Sequence, residues 1–314
     1  VRRVSVFEVV KAVITNKVRV LEVAEPLAIV LWPQLLLIHS SLAVTNFFRL
    51  TQTNVVSYAI ENYPTDKKLM EFTGLPRWIS RSIVKGIVRF LMATTSRIVY
   101  GTQDALDVYE DLAPRAVRKR TALTSLVWAL PAPHGACPGP PEVETLVFLG
   151  TFEDRKGINR LMSTWPLVLK QLPRGKLTLL GKLGNLAGVR EFSANHLSVT
   201  LVEDPARSQI FDVLADSKAL ILFSQPARGW KEQVGLPIVE ALSMGCEIIS
   251  SDQTGIQSWL SDHGHEVLPW DESDENLAAA ITRALTSPRS KAEVLDDLPS
   301  EDGRSLADAR LFRE

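Results

Sequence analysis

Apolar and polar positions follow one pattern strongly from about residue 140 onward. Short apolar runs recur at 144–150 (ETLVFLG), 176–181 (KLTLLG), 197–202 (LSVTLV), 218–224 (KALILFS), 246–251 (CEIISS) and 265–268 (HEVL). None alternates with a period of two, so each predicts a strand buried on both faces, and the intervening segments predict helices covering a parallel sheet. This is the pattern of a complete doubly wound α/β domain over 143–290, followed by a helical tail at 291–314.

The first 130 residues are less regular. Residues 2–16 predict a helix and 18–26 an extended run, while TNVVSYAIEN at 53–62 predicts a strand, rich in Val, Tyr and Ile. The apolar stretch 27–38 carries Pro33 and is shorter than the roughly 20 residues a membrane span needs, so it is expected in the core. Residues 96–112 predict strand, turn and helix. Between them, Arg77, Arg81, Lys85 and Arg89 recur every four residues along one side of a predicted helix. Two readings stand for that 77–91 helix: a solvated face, or a face that touches anionic membrane lipid or a phosphate-bearing acceptor. Residues 131–142 are dense in Pro and Gly and predict a linker between the two halves, with His134 a solvated loop residue.

Charge sharpens the division. Residues 1–140 carry 17 Lys and Arg against 10 Asp and Glu, a net of +7, whereas 141–314 carry 18 against 26, a net of −8. The first half should therefore prefer anionic partners. Two cysteines, Cys137 and Cys246, are too few for a disulfide framework or a metal cluster, and no leader is visible, so a reducing cytoplasm is expected. Cys246 heads an apolar strand and is expected to be a buried small hydrophobe. No G-x-G-x-x-G follows a strand, which argues against a nicotinamide site.

The densest chemistry lies between Ser224 and Gly255. A strand ends at Ser224, a polar loop follows, and Gly235-Leu236-Pro237 opens a helix that closes at Gly245. Proline is tolerated in a first helical turn and glycine suits the position just past the end. A helix entered through glycine after a parallel strand presents free amides and a positive dipole end to the crevice, which suits phosphate. Glu240 lies about one turn inside it, and Glu232 lies eight residues earlier in the loop.

Together, EQVGLPIVEALSMGCEIISS resembles the E-x7-E signature of retaining nucleotide-sugar glycosyltransferases with the GT-B fold, glycosyltransferase family 4. Gly235, Leu236, Pro237, Glu240, Ala241 and Gly245 match, while Cys246 replaces the usual Pro and Gln233-Val234 replace Gly-Phe. GTFEDRKG at 150–157 is similar to the family's G-R-x4-K-G element, with Thr151 where Arg is commonest. The resemblance implies two Rossmann-like domains facing a crevice, the first supplying the acceptor side. No strand leading to a glycine-rich loop opens this chain, so residues 1–130 are expected to be the later part of that domain, truncated or diverged.

The resemblance also implies roles. Lys156 neutralises the donor diphosphate, helped by Arg155 if it turns inward, and Gly150 and Thr151 line the same turn. Glu240 holds the ribose hydroxyls, Glu232 contacts the transferred sugar, and the amides around Gly235 and Leu236 hold phosphate. Val202 and Glu203 open the stretch 202–211 that receives the base, largely through backbone groups. Glu61 stands at the end of the strand where the family often has a His, as a sugar contact, a base or a plain loop carboxylate. No metal or other cofactor is expected, since Lys and helix amides can perform the neutralisation. The implied function is transfer of a hexose from a nucleotide diphosphate sugar to a glycan or lipid-linked acceptor in polysaccharide biosynthesis, with no nucleic-acid partner. The competing expectations are a non-catalytic remnant that binds a nucleotide sugar or a partner, and an epimerase on the same fold. Lys156 with the E-x7-E pair argues against the epimerase.

Overall fold

The computed structural model describes residues 5–48, 53–119, 124–134 and 144–313. The chain falls into two compact units, Val1–Trp128 with Arg228–Trp230 and Arg304–Glu314, and Ala129–Ala227 with Lys231–Gly303. Most of the expected linker, with Cys137, lies outside the described residues.

The first unit is built on a four-stranded parallel sheet, β1 (Val20–Glu22), β2 (Asn54–Ala59), β3 (Arg97–Tyr100) and β4 (Thr124–Leu126), paired in chain order. Helix α1 (Val6–Ile14) begins in a capping box, Glu8 N–H donating to the Ser5 hydroxyl and Ser5 N–H to the Glu8 carboxylate. A 3-10 turn over Ile29–Leu31 leads into α2 (Trp32–Phe47). Pro33 sits in the first turn of α2, where no N–H is needed, and the helix runs past the apolar stretch 27–38 to Phe47. Only one face of α2 is core: Trp32, Leu35, His39 and Leu42 are buried, while Leu37, Val44 and Phe47 are exposed. Among the described residues, Ile29–Phe47 is the one helical stretch long and apolar enough to cross a membrane, by length and composition.

Helices α3 (Thr65–Thr73), α4 (Arg77–Thr94), α5 (Gln103–Leu112) and α6 (Pro114–Lys119) complete the crossovers. Two residues of the basic side of α4 are held in ion pairs. Arg77 and Arg81 both pair with the buried carboxylate of Asp66 at the start of α3, at 3.2 and 3.3 Å, and Arg81 also reaches Asp111 at 2.6 Å. Burying a charge is tolerated when it is paired in this way. The last helix of the chain, α14 (Gly303–Leu311), belongs to this unit.

The second unit holds a six-stranded parallel sheet of β5 (Thr145–Phe152), β6 (Lys176–Gly184), β7 (Val199–Glu203), β8 (Ala219–Leu222), β9 (Glu247–Ser251) and β10 (Glu266–Leu268), in the order β10-β9-β8-β5-β6-β7. The strands match the six apolar runs of the sequence, because a strand covered on both faces needs no polar alternation. Its helices are α7 (Ile158–Gln171), α8 (Leu186–Asn195), α9 (Arg207–Asp216), α10 (Leu236–Ser243), α11 (Gln257–Asp262), α12 (Asp274–Thr286) and α13 (Lys291–Asp296). Phe148, Phe152, Trp165, Leu177 and Ile221 centre its core. The buried Lys291 ammonium donates to the carbonyls of Leu214 and Met244 at 2.8 and 3.1 Å, satisfying groups at the ends of α9 and α10. Cys246 is fully buried, and burial pushes its thiol up to about 11, which leaves it without a reactive thiolate.

Strand order decides where the second unit can bind. The chain starts at β5, moves outward through β6 and β7, and returns to place β8 on the other side of β5. In open α/β sheets ligands bind outside the carboxyl ends of the strands at that reversal.

Candidate active site

Two loops leave the carboxyl ends of β5 and β8 at this reversal. After β5 the chain makes a 3-10 turn over Asp154–Lys156 and enters α7 through Gly157. Gly157 has φ +82°, and a Cβ there would lie 2.1 Å from the Phe223 carbonyl oxygen, so a side chain is excluded by both conformation and space. This close approach joins the loops: Gln225 N–H donates to the Arg155 carbonyl at 2.9 Å. Lys156 Nζ donates to Glu232 Oε2, and both side chains are largely buried. The Glu232 backbone is held in turn by a parallel bridge to Thr254, with Glu232 N–H donating to Gln253 O at 3.1 Å and Gly255 N–H donating to Glu232 O at 3.0 Å.

Helix α10 follows. Its N-cap is Gly235 at φ +82°, no side chain caps it, and Pro237 lies in its first turn. The first amides of such a helix have no internal acceptor and carry the positive end of the dipole. Glu240, one turn in, is buried, and that burial raises its carboxyl above the ordinary range, opposed by the Arg207 guanidinium 3.6 Å away. Arg207 opens α9 and is itself exposed, lying over the Phe211 ring at 5.5 Å, while the His134 ring stacks on Phe211 at 4.5 Å. Arg207 has no part in the expectation for 202–211, which gives the base to backbone groups. Its signal was a cation in the first helical turn after a strand end.

The other expected residues divide. Gly150 and Thr151 lie on β5 as it approaches the reversal, and the Thr151 hydroxyl is buried without a hydrogen-bond partner among the described residues, as is the Ser224 hydroxyl just past β8. Arg155 pairs with its neighbour Glu153 at 2.6 Å. Val202 is half-buried in β7. Glu203 is engaged elsewhere: Arg190 of α8 holds it in a two-pronged pair at 2.6 Å for each bond and pulls its carboxyl below the ordinary range.

Glu61 lies in the first unit, just past β2. It is buried rather than displayed on a loop, accepting from Lys68 Nζ at 3.1 Å and from Tyr63 N–H at 3.3 Å. Its own N–H donates to Glu25, a carboxylate that also accepts from Ile60 N–H, Leu27 N–H and the Tyr109 hydroxyl. Burial raises the Glu25 carboxyl. Glu25 carries no sequence signal beyond lying after a short extended run. Among the described residues no group of three or more His, Cys, Asp or Glu converges as a metal site would require.

Residues 143–287 match the model of the family described as glycosyl transferases group 1. A phosphatidyl-myo-inositol mannosyltransferase of Mycolicibacterium smegmatis is 26% identical over 159 residues, covering 49% of this chain and 39% of that protein. Among solved structures, HepE of Anabaena in complex with UDP aligns with a TM-score of 0.63 at 12% identity, covering 98% of this chain and 78% of that one. The lipopolysaccharide outer core galactosyltransferase WaaB aligns with a TM-score of 0.64 at 12% identity, covering 97% and 78%. These likenesses give the fold as GT-B, an α/β architecture of Rossmann-like domains.

Proposed function

We propose that this chain is a retaining glycosyltransferase that moves a hexose from a nucleotide diphosphate sugar to a glycan or lipid-linked acceptor in polysaccharide or glycolipid synthesis. The observation that carries the reading is the Lys156–Glu232 pair, held where strand order reverses and followed by the uncapped start of α10. When the bond from the anomeric carbon to the leaving phosphate oxygen breaks, charge develops on the diphosphate. Lys156 and the first amides of α10 stabilise it, which supplies the neutralisation a metal provides elsewhere. Glu232 orients the Lys156 ammonium and accepts from a hydroxyl of the transferred sugar. Glu240, ionised, accepts from the ribose hydroxyls. The family match over the second unit supports this reading, as does the similarity to a mannosyltransferase and to a protein that was crystallised with UDP and UDP-glucose.

The test is calorimetric titration with UDP-glucose and GDP-mannose. One of the two is expected to bind the wild type, and Lys156→Ala and Glu240→Ala each to weaken it more than tenfold, about 1.4 kcal/mol. A folded wild type that binds neither nucleotide sugar, nor UDP nor GDP, removes the reading.

Three observations favour a second reading, a chain that binds a nucleotide sugar or a partner without transfer. Thr151 stands in place of a cation, Arg155 is tied to Glu153, and Glu61 is buried against Lys68. Release of nucleoside diphosphate from a bound donor, in the presence or absence of acceptor, separates the two. The reading places the chain in the cytoplasm, with peripheral contact to anionic lipid falling to Lys85 and Arg89, because Arg77 and Arg81 are engaged by Asp66.

A further inference from the structure

A cavity of about 610 Å³ opens in the second unit between the turn after β5, the start of α7 and the loop after β8, lined by Asp154, Arg155, Asn159, Arg160, Ser163 and Gln225 with Pro226 and Ala227. It is large enough for a small ligand. The proposed donor chemistry uses neither its helix face nor its loop wall.

Its charges are already matched. Arg155 pairs with Glu153, Arg160 pairs with Asp274 at 3.1 Å and donates to the Glu272 carbonyl, and Asp154 accepts from Asn159. An anion would have to compete with carboxylates already seated on both guanidinium groups, so the lining does not favour one. Hydrogen-bonding capacity remains. The Gln225 amide spends its Nε2 on the Phe223 and Ser224 carbonyls, while no bond reaches its Oε1 among the described residues. Ser163 donates to Asp274 at 2.9 Å and retains lone pairs to accept.

A ligand that fits is neutral, carries groups that donate, and has an apolar side for Pro226 and Ala227. Vicinal hydroxyls on a pyranose ring meet all three conditions: they donate to Gln225 Oε1 and to the Ser163 hydroxyl oxygen, and the C–H face of the ring lies on the apolar wall. We infer that this cavity is a second saccharide site, for one or two neutral sugar residues, independent of the donor site proposed above.

Saturation-transfer NMR with maltose, α-1,2-mannobiose and lactose tests it, with glucuronic acid and glucose 6-phosphate as anionic counterparts. At least one neutral disaccharide is expected to give a transfer signal with the wild type, and neither anionic sugar a stronger one. Ser163→Trp fills the cavity and Gln225→Ala removes an acceptor, and each is expected to reduce the signal at least fivefold. Circular dichroism confirms that the variants are folded, and Gln225→Ala serves if Ser163→Trp does not fold. Glu240→Ala, which disables the proposed donor site, is expected to leave the signal intact, so this site and that reading fail separately. No signal from any neutral disaccharide with the folded chain, a signal that folded cavity variants leave unchanged, or stronger binding of the anionic sugars overturns the inference.

Discussion

Gly157 and Phe223 are in backbone contact so close that a Cβ on the glycine would stand 2.1 Å from the phenylalanine carbonyl oxygen. This contact brings the turn carrying Lys156 against the loop that leads to Glu232. Gly157→Ala meets the clash and a left-handed backbone at once, and each strained residue of that kind costs about 1–3 kcal/mol. The variant is expected to lose about 2 kcal/mol or more in urea unfolding of the second unit. Nucleotide-sugar binding is expected to weaken with it, because the Lys156–Glu232 pair depends on the same approach.

Arg207 opposes the effect of burial on Glu240. If Glu240 accepts from ribose as a carboxylate, donor binding is lost as pH falls through its raised pKa. Arg207→Ala removes the opposing cation, so the carboxyl rises further and the loss of binding moves to higher pH. Calorimetric titrations from pH 4 to 8 with the two proteins check this; coincident profiles would show that the guanidinium is too well solvated to matter.

Two buried histidines make the chain sensitive to acid. Burial lowers His39 in the first unit to about 4 and His265 in the second to about 3. Between those values and the ordinary 6.5 the unfolded chain takes up a proton that the folded chain refuses, so stability falls as pH falls. Each histidine is expected to remove about 2 kcal/mol between pH 7 and pH 5. His265→Leu gives up the bond from Ile248 N–H and so lowers stability at pH 7, but the second unit's pH slope is expected to flatten. Denaturant midpoints at the two pH values check the slope independently of the offset.

Leu311 on α14 is fully buried and packs with Val56, Val99, Val127 and Ala307. Leu311→Ala is expected to cost about 2–5 kcal/mol. Amide hydrogen exchange should report the loss in β2 and β3, far along the chain from the substitution.

The second unit was largely legible because its signals are local. Apolar runs without alternation mark strands of a doubly covered sheet, and Gly235, Pro237 and Gly245 mark the ends of a helix within a dozen residues. The side-chain pairings were not legible, because each joins elements whose approach depends on the sheet. Nothing near Glu203 in sequence says that Arg190 will take its carboxylate, and Glu61 looks like a loop residue until Lys68 and Glu25 enclose its neighbourhood. Helix α2 was not legible for a simpler reason. Pro33 reads as an interruption in mid-run but is harmless in a first turn, and only the fold fixes where that turn begins.

The placement of α14 also bears on how the chain is made. Translation delivers residues from the N-terminus at about 5–20 per second, and domains ordinarily fold as they emerge. Here the first unit to emerge lacks Ala307 and Leu311, which cover Val56, Val99 and Val127, until the second unit has been synthesised through Gly303. The second unit can therefore bury its core first, while Val56, Val99 and Val127 wait for the last helix to cover them.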